Sequence, residues 1–180
     1  MNIGTKSLLF GVHQFLLHPL FIFIAWWRLF GFPKKLVLYF AFVVHDWGYW
    51  GKPNMDGPEG DSHPFLGAHI VSHFFDRRGP FRHPRDQYHA SWFHFCYFHS
   101  RFKARRYKMN HSLLCEADKL ATTVEPPWFY LLRAKATGEV YEYMETVKGK
   151  HADEPLTDRN PKEWLESVRR YLKQWVRNPV

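Results

Sequence analysis

Residues 36–61 read LVLYFAFVVHDWGYWGKPNMDGPEGD, and the change of character at His45 decides how the chain is read. LVLYFAFVV is apolar without period-two alternation, as a fully buried helix requires, and Phe32-Pro33 ahead of it puts a proline in the predicted first turn. That helix delivers His45 and Asp46 at its end. Beyond them Gly48, Gly51, Pro53, Gly57, Pro58 and Gly60 break regular structure and open a long loop, whose acids Asp56, Glu59 and Asp61 read as a solvated turn. Adjacent His and Asp at a helix end can turn toward one cation. Imidazole nitrogen and carboxylate oxygen suit Mn, Fe, Co, Ni or Zn better than Ca or Mg. The company of this pair gives it meaning: His18 lies upstream, His63 and His99 downstream, and Asp118 sits in the apolar run LLCEADKLA.

The flanking segments also read as helices. Residues 5–31 form one helix kinked at Pro19, with His18, Ile22, Ala25 and Leu29 on one face, so that His18 looks inward and His13 is the competing position. Pro64 opens a helix through about Asp76, carrying His63 at its edge and His69 and His73 along it. The segment RRGPFRHPR is a basic connection. From Pro84 a helix places Trp92, Phe95, Cys96 and His99 on one face and His94 elsewhere, which selects His99. SRFKARRYK follows, with Arg101 at the end of that helix. Its guanidinium suits bidentate contact with phosphate oxygens, and Lys119, Arg105 and Lys52 are further candidates for the same task. Asn110 or Ser112 caps LLCEADKLATT, in which Leu114, Ala117 and Ala121 pack while Asp118 faces the site, since an acid amid apolar neighbours is costly unless paired or metal-bound. Two more helices follow Pro126-Pro127 and Gly138. The last has Asn160 as N-cap, Pro161 first, Glu163 in the capping-box place, and Trp164, Leu165, Val168, Tyr171, Leu172, Trp175 and Val176 as an apolar stripe that packs on the domain or forms a subunit contact. No strand pattern or repeat occurs, so the expected fold is all-α: one domain over 1–180, with the site core at about 13–123 and helices at 126–178 packed on it.

Composition sets the outer bounds. In 180 residues, 46% hydrophobic and 19% aromatic content supports a real core. A net charge of +8 favours anionic partners, either phosphates or lipid headgroups. Aromatic residues interleave with the basic patch, but without an RNA-binding motif this argues against nucleic acid as partner. Leu16–Trp27 is interrupted by His18 and Pro19 and ended by Arg28, well short of the roughly 20 residues of a membrane span. AWWRLFG offers no signal-peptide cleavage site, and Cys96 and Cys115, without CxxC spacing, read as reduced core thiols of a cytoplasmic protein.

The order H…HD…H…H…D resembles the HD-domain superfamily of metal-dependent phosphohydrolases. FAFVVHDWGY is similar to that family's apolar helix ending in HD-x-G, HPFLGAHI to the HP-x-x-G-A segment of its multi-histidine branches, and CEADKLA to the helix of its last aspartate. The resemblance implies a compact helical HD-like bundle. It implies His18, His45, Asp46, His63, His99 and Asp118 as metal ligands, with His18 ahead of His13 and His63 ahead of His69. It implies one or two divalent transition metal ions, with Asp46, His63 and His99 as catalytic residues acting on a phosphate ester or anhydride, nucleotide-like in kind. Tyr49 stands where nucleotidase members place an acid, and the HHE and GYP signatures of the cyclic-dinucleotide branch are missing. Two other readings remain: a di-iron oxygenase of the same six-ligand order that cleaves C–C or C–P bonds, and a basic, aromatic-rich binding module without catalysis.

Overall fold

The computed structural model describes residues 1–76, 91–150 and 160–177. Among these residues the chain is all-α, with helices α1 (Ile3–Phe10), α2 (Leu17–Phe30), α3 (Leu36–Val44), α4 (Pro64–Phe75), α5 (Trp92–Tyr97), α6 (Arg101–Tyr107), α7 (Leu113–Val124), α8 (Pro127–Thr137), α9 (Glu139–Lys150) and α10 (Pro161–Arg177). Two 3-10 turns, Trp47–Tyr49 and Gly60–Ser62, frame the long glycine-proline loop. None of these helices is long and apolar enough to cross a membrane.

The main core lies among α2, α3, α4, α5 and α7. Ile22, Ala25 and Trp26 of α2, Phe42 of α3, Val71 of α4, Cys96 of α5 and Leu114 and Ala117 of α7 are buried there together. The expected inward face of α2 holds, since His18, Ile22 and Ala25 are buried. A second cluster joins Val12 to Tyr130 and Ala134 of α8, Val140 of α9, and Trp164 and Leu165 of α10. The stripe on α10 is therefore covered within the chain, and α10 lies against α7, α8 and α9. Its start is capped as the sequence implies: the amides of Lys162 and Glu163 donate to Asn160 Oδ1 at 2.9 and 3.0 Å.

Three local readings change. The first helix is two, because the chain turns out of α1 at Gly11, whose carbonyl accepts a bond from the buried Arg133 and whose neighbour Val12 donates its amide to Glu139 at 2.7 Å. Pro19 falls inside the first turn of α2 and produces no kink. The segment carrying His99 also ends before Arg101: α5 stops at Tyr97, and Ser100 caps a separate helix α6 by accepting from the amide of Lys103 at 3.4 Å. The expected basic connection RRGPFRHPR and the helix start at Pro84 lie outside the described residues.

Two glycines set the distances on which the site depends. A Cβ on Gly67 of α4 would lie 2.5 Å from the carbonyl oxygen of Val44 and 2.6 Å from the Cα of His45, so α4 crosses the end of α3 at backbone contact. A Cβ on Gly48 would lie 1.9 Å from the carbonyl oxygen of His63. The two motifs HDWG and HPFLG thus each contribute a glycine that lets the other's histidine approach.

Candidate metal centre

Five segments bring six side chains together. His18 comes from the first turn of α2, His45 and Asp46 from the end of α3, His63 from the N-terminal edge of α4, His99 from just after α5, and Asp118 from the middle of α7. All six are buried. Three of the imidazoles are oriented by their own backbone. His45, His63 and His99 place Nδ1 at 3.0, 2.8 and 2.5 Å from the carbonyl oxygens of Phe42, Gly60 and Cys96, each three residues earlier. A carbonyl only accepts, so each Nδ1 carries a proton, and in the neutral imidazole, the form that binds a metal, each Nε2 then turns a lone pair inward.

What those lone pairs face is the carboxylate of Asp46. Its Oδ2 lies 3.1 Å from His45 Nε2 and 3.4 Å from His18 Nε2, and His18 Nε2 lies 3.1 Å from Asp118 Oδ1. Its Oδ1 lies 3.2 Å from His99 Nε2 and 3.6 Å from His63 Nε2. His18 Nε2, His45 Nε2 and Asp46 Oδ2 are buried without a well-aligned hydrogen bond, although both nitrogens lie within ion-pair distance of Asp46 Oδ2. His63 Nε2 and His99 Nε2 are 3.1 Å apart, acceptor against acceptor. Buried polar atoms left this way are costly unless a cation lies among them. The donor atoms form two groups, His18-His45-Asp46-Asp118 and Asp46-His63-His99, each within 4.8 Å of one another. That spread suits ions bonded to nitrogen and oxygen at about 2.0–2.2 Å. The buried His/Asp groups could hold a metal ion, and Asp46 belongs to both groups.

The electrostatics of the cluster agree with its crowding. Burial opposes ionisation of Asp46, but His45, His18 and His99 around it prevail and hold its carboxyl well below the usual range. Burial likewise opposes charge on Asp118, and Lys119 and His18 outweigh it. Burial pulls the His18 imidazole down, yet Asp118 and Asp46 raise it to about 9. His63 goes the other way, because burial dominates and holds it well below its ordinary value. Protons and a metal cation would therefore compete for His18.

The remaining expected residues take varied places. His69 packs between the rings of Phe65 and Phe93, and His94 lies buried beside Phe93 and Phe98. His13 stands at the rim, with Nε2 3.9 Å from Asp46 Oδ2. Lys119 donates to Asp118 Oδ2 at 2.8 Å, the one direct pairing of a candidate phosphate-binding cation with a cluster carboxylate among the described residues. Arg101 turns toward α10, its guanidinium 4.9 Å from the Trp175 ring and Nη1 donating to Tyr171 Oη at 3.2 Å. Arg105, one turn further along α6, is exposed, and Lys52 is half-buried in the glycine-proline loop. Cys96 and Cys115 are free, buried thiols, and burial pushes Cys115 up to about 12.

Two features escape sequence reasoning. Tyr49 stacks on His63, with ring centroids 3.9 Å apart and planes 15° apart. Glu139, at the start of α9, accepts from the Ser7 hydroxyl at 2.6 Å, the Val12 amide at 2.7 Å and the Thr137 hydroxyl at 2.8 Å, and lies 3.5 Å from His13 Nδ1. It braces the segment from which His13 reaches the site. A lone glutamate opening a helix carries no local signal of this role.

Fold and site define an all-α protein with a buried His/Asp cluster that could bind metal. Comparison of the chain with protein-family models, with curated proteins and with solved structures finds no match.

Proposed function

We propose that the cluster would hold two metal ions, with Asp46 common to both ligand groups, and that the protein is a metal-dependent phosphohydrolase. The observation that supports this reading is the division of the Asp46 carboxylate, with Oδ2 among His18 and His45 and Oδ1 between His63 and His99. In it His18, His45, Asp46 and Asp118 would hold one divalent transition metal ion, and Asp46, His63 and His99 would hold the second. Such ions supply Lewis acidity, bringing water toward ionisation near neutral pH and drawing charge from phosphoryl oxygens.

The chain's own groups do the rest. The backbone carbonyls of Phe42, Gly60 and Cys96 keep His45, His63 and His99 in the tautomer that presents Nε2. Lys119 steadies Asp118 and adds positive charge beside it, with Arg101, Arg105 and Lys52 as the outer cations for a phosphate. In the reaction a water oxygen bonds to phosphorus, the bond from phosphorus to the leaving oxygen breaks, and a proton ends on that oxygen. A second reading, a di-iron oxygenase, draws on the same shared carboxylate with four imidazoles around it. Elemental analysis of the native protein, then phosphate release with Mn, Fe, Co, Ni and Zn, tests the choice. Two ions per chain with phosphate release is the expected result. Oxygen uptake with a mixed-valent iron spectrum would overturn the hydrolase reading, and protein that neither contains nor responds to metal would overturn both.

A further inference from the structure

A cavity of about 380 Å³ is lined by Leu8, Phe15, Trp47, Trp50 and Leu66, and it meets the cluster through Tyr49, which packs with Leu8 and stacks on His63. Its volume is within the roughly 300–1,000 Å³ range of small-molecule sites. The lining comes from the segments that also carry the site. Leu8 follows Ser7, which bonds to His13 and Glu139; Phe15 lies between His13 and His18; Trp47 follows Asp46; Leu66 comes three residues after His63. Four of the five are exposed, Trp50 at 63% and Leu66 at 45%. Apolar side chains left in water around a concave surface mark a binding site more readily than a core defect.

Among the described residues the lining carries no charged side chain, and its side-chain hydrogen-bonding capacity is limited to indole N–H groups. The edge of a nucleobase needs several donors and acceptors, so such a lining would leave it unsatisfied. A hydrocarbon chain makes no such demand. We infer that this pocket takes the hydrocarbon chain of an amphiphilic phosphate monoester whose phosphate lies at the adjoining His/Asp centre, an inference that rests on the phosphohydrolase reading. Charge complementarity supports it, because the net charge of +8, with Lys52 two residues beyond Trp50, favours an anionic headgroup next to an apolar tail.

The test uses the full chain and n-alkyl phosphates from butyl to decyl, each kept below its aggregation concentration. In metal-loaded protein, kcat/KM is expected to rise by about fourfold per methylene until the pocket is full. In chelated protein, tryptophan emission should report binding with the same dependence on chain length. Trp50→Ala and Leu66→Asp, both at exposed positions, should flatten that dependence in both readouts. Flat dependence in the parent protein, or a steep one that neither substitution alters, overturns the pocket assignment. So does tighter binding of nucleoside monophosphates than of any alkyl phosphate, or an emission change with anionic vesicles alone, which would make the surface a membrane seat. Chain-length-dependent binding with no phosphate release under any metal would keep the pocket and remove the hydrolase reading.

Discussion

Asp46 is common to both groups of candidate metal ligands, and its substitution separates a shared ligand from six independent ones. Replacing one carboxylate oxygen by an amide weakens coordination to both groups at once, whereas truncating His63 removes a donor from one. Asp46→Asn should therefore reduce the metal content from two ions per chain to below one, while His63→Ala should leave about one, as read by elemental analysis after dialysis. Equal stoichiometry in the two variants would mean that Asp46 does not bridge. The six cluster residues were legible in the sequence through the order H…HD…H…H…D and the local segments that resemble a known family, since no single histidine or aspartate among them carries a signal of its own. Glu139, Ser7 and Tyr49 were not, since Ser7 and Glu139 meet across 132 positions and a tyrosine stacked on an imidazole has no local pattern.

At the scale of elements, the sequence was most readable where side chains close their own helix ends. Pro64 starts α4 and Asn160 caps α10 as expected. It was least readable where one helix becomes two. The break at Gly11 is enforced from a distance by Arg133 and Glu139, and the break at Ser100 by a hydroxyl that takes a backbone amide. The crossing of α3 and α4 carries a prediction of its own. In Gly67→Ala the added methyl meets backbone atoms of Val44 and His45, which have no rotamer to yield, so the helices must part. Overpacking of this kind costs about 1–3 kcal/mol. Denaturant titration of chelated protein should show that loss, and metal affinity should fall as well because His45 moves with α3. A variant of parental stability and affinity would show that the contact relaxes without displacing the site.

For the whole molecule, the charges of the cluster tie folding to pH, and metal should change the shape of that dependence. In chelated protein the His18 imidazole is raised to about 9, above its unfolded value. Its contribution, on the order of 3 kcal/mol, is therefore complete below pH 6.5 and disappears as pH climbs through 9. His63 acts from the other side: with its folded value depressed, the unfolded chain takes up that proton first, and stability falls as pH drops below about 6.5. Asp46 and Asp118, both held low, contribute above about pH 4 and lose that contribution in stronger acid, as their folded carboxylates take up protons. The thermal midpoint of chelated protein should accordingly peak near pH 6.5 and decline toward pH 9. Metal displaces the proton on His18, so in loaded protein the alkaline decline should vanish, the midpoint should stand higher throughout, and apparent metal affinity should weaken about tenfold for each pH unit below 9. His18→Ala removes the titrating group, and its chelated protein should lose the alkaline decline without metal. A decline that persists in His18→Ala would assign it to another group and detach the proton from the site.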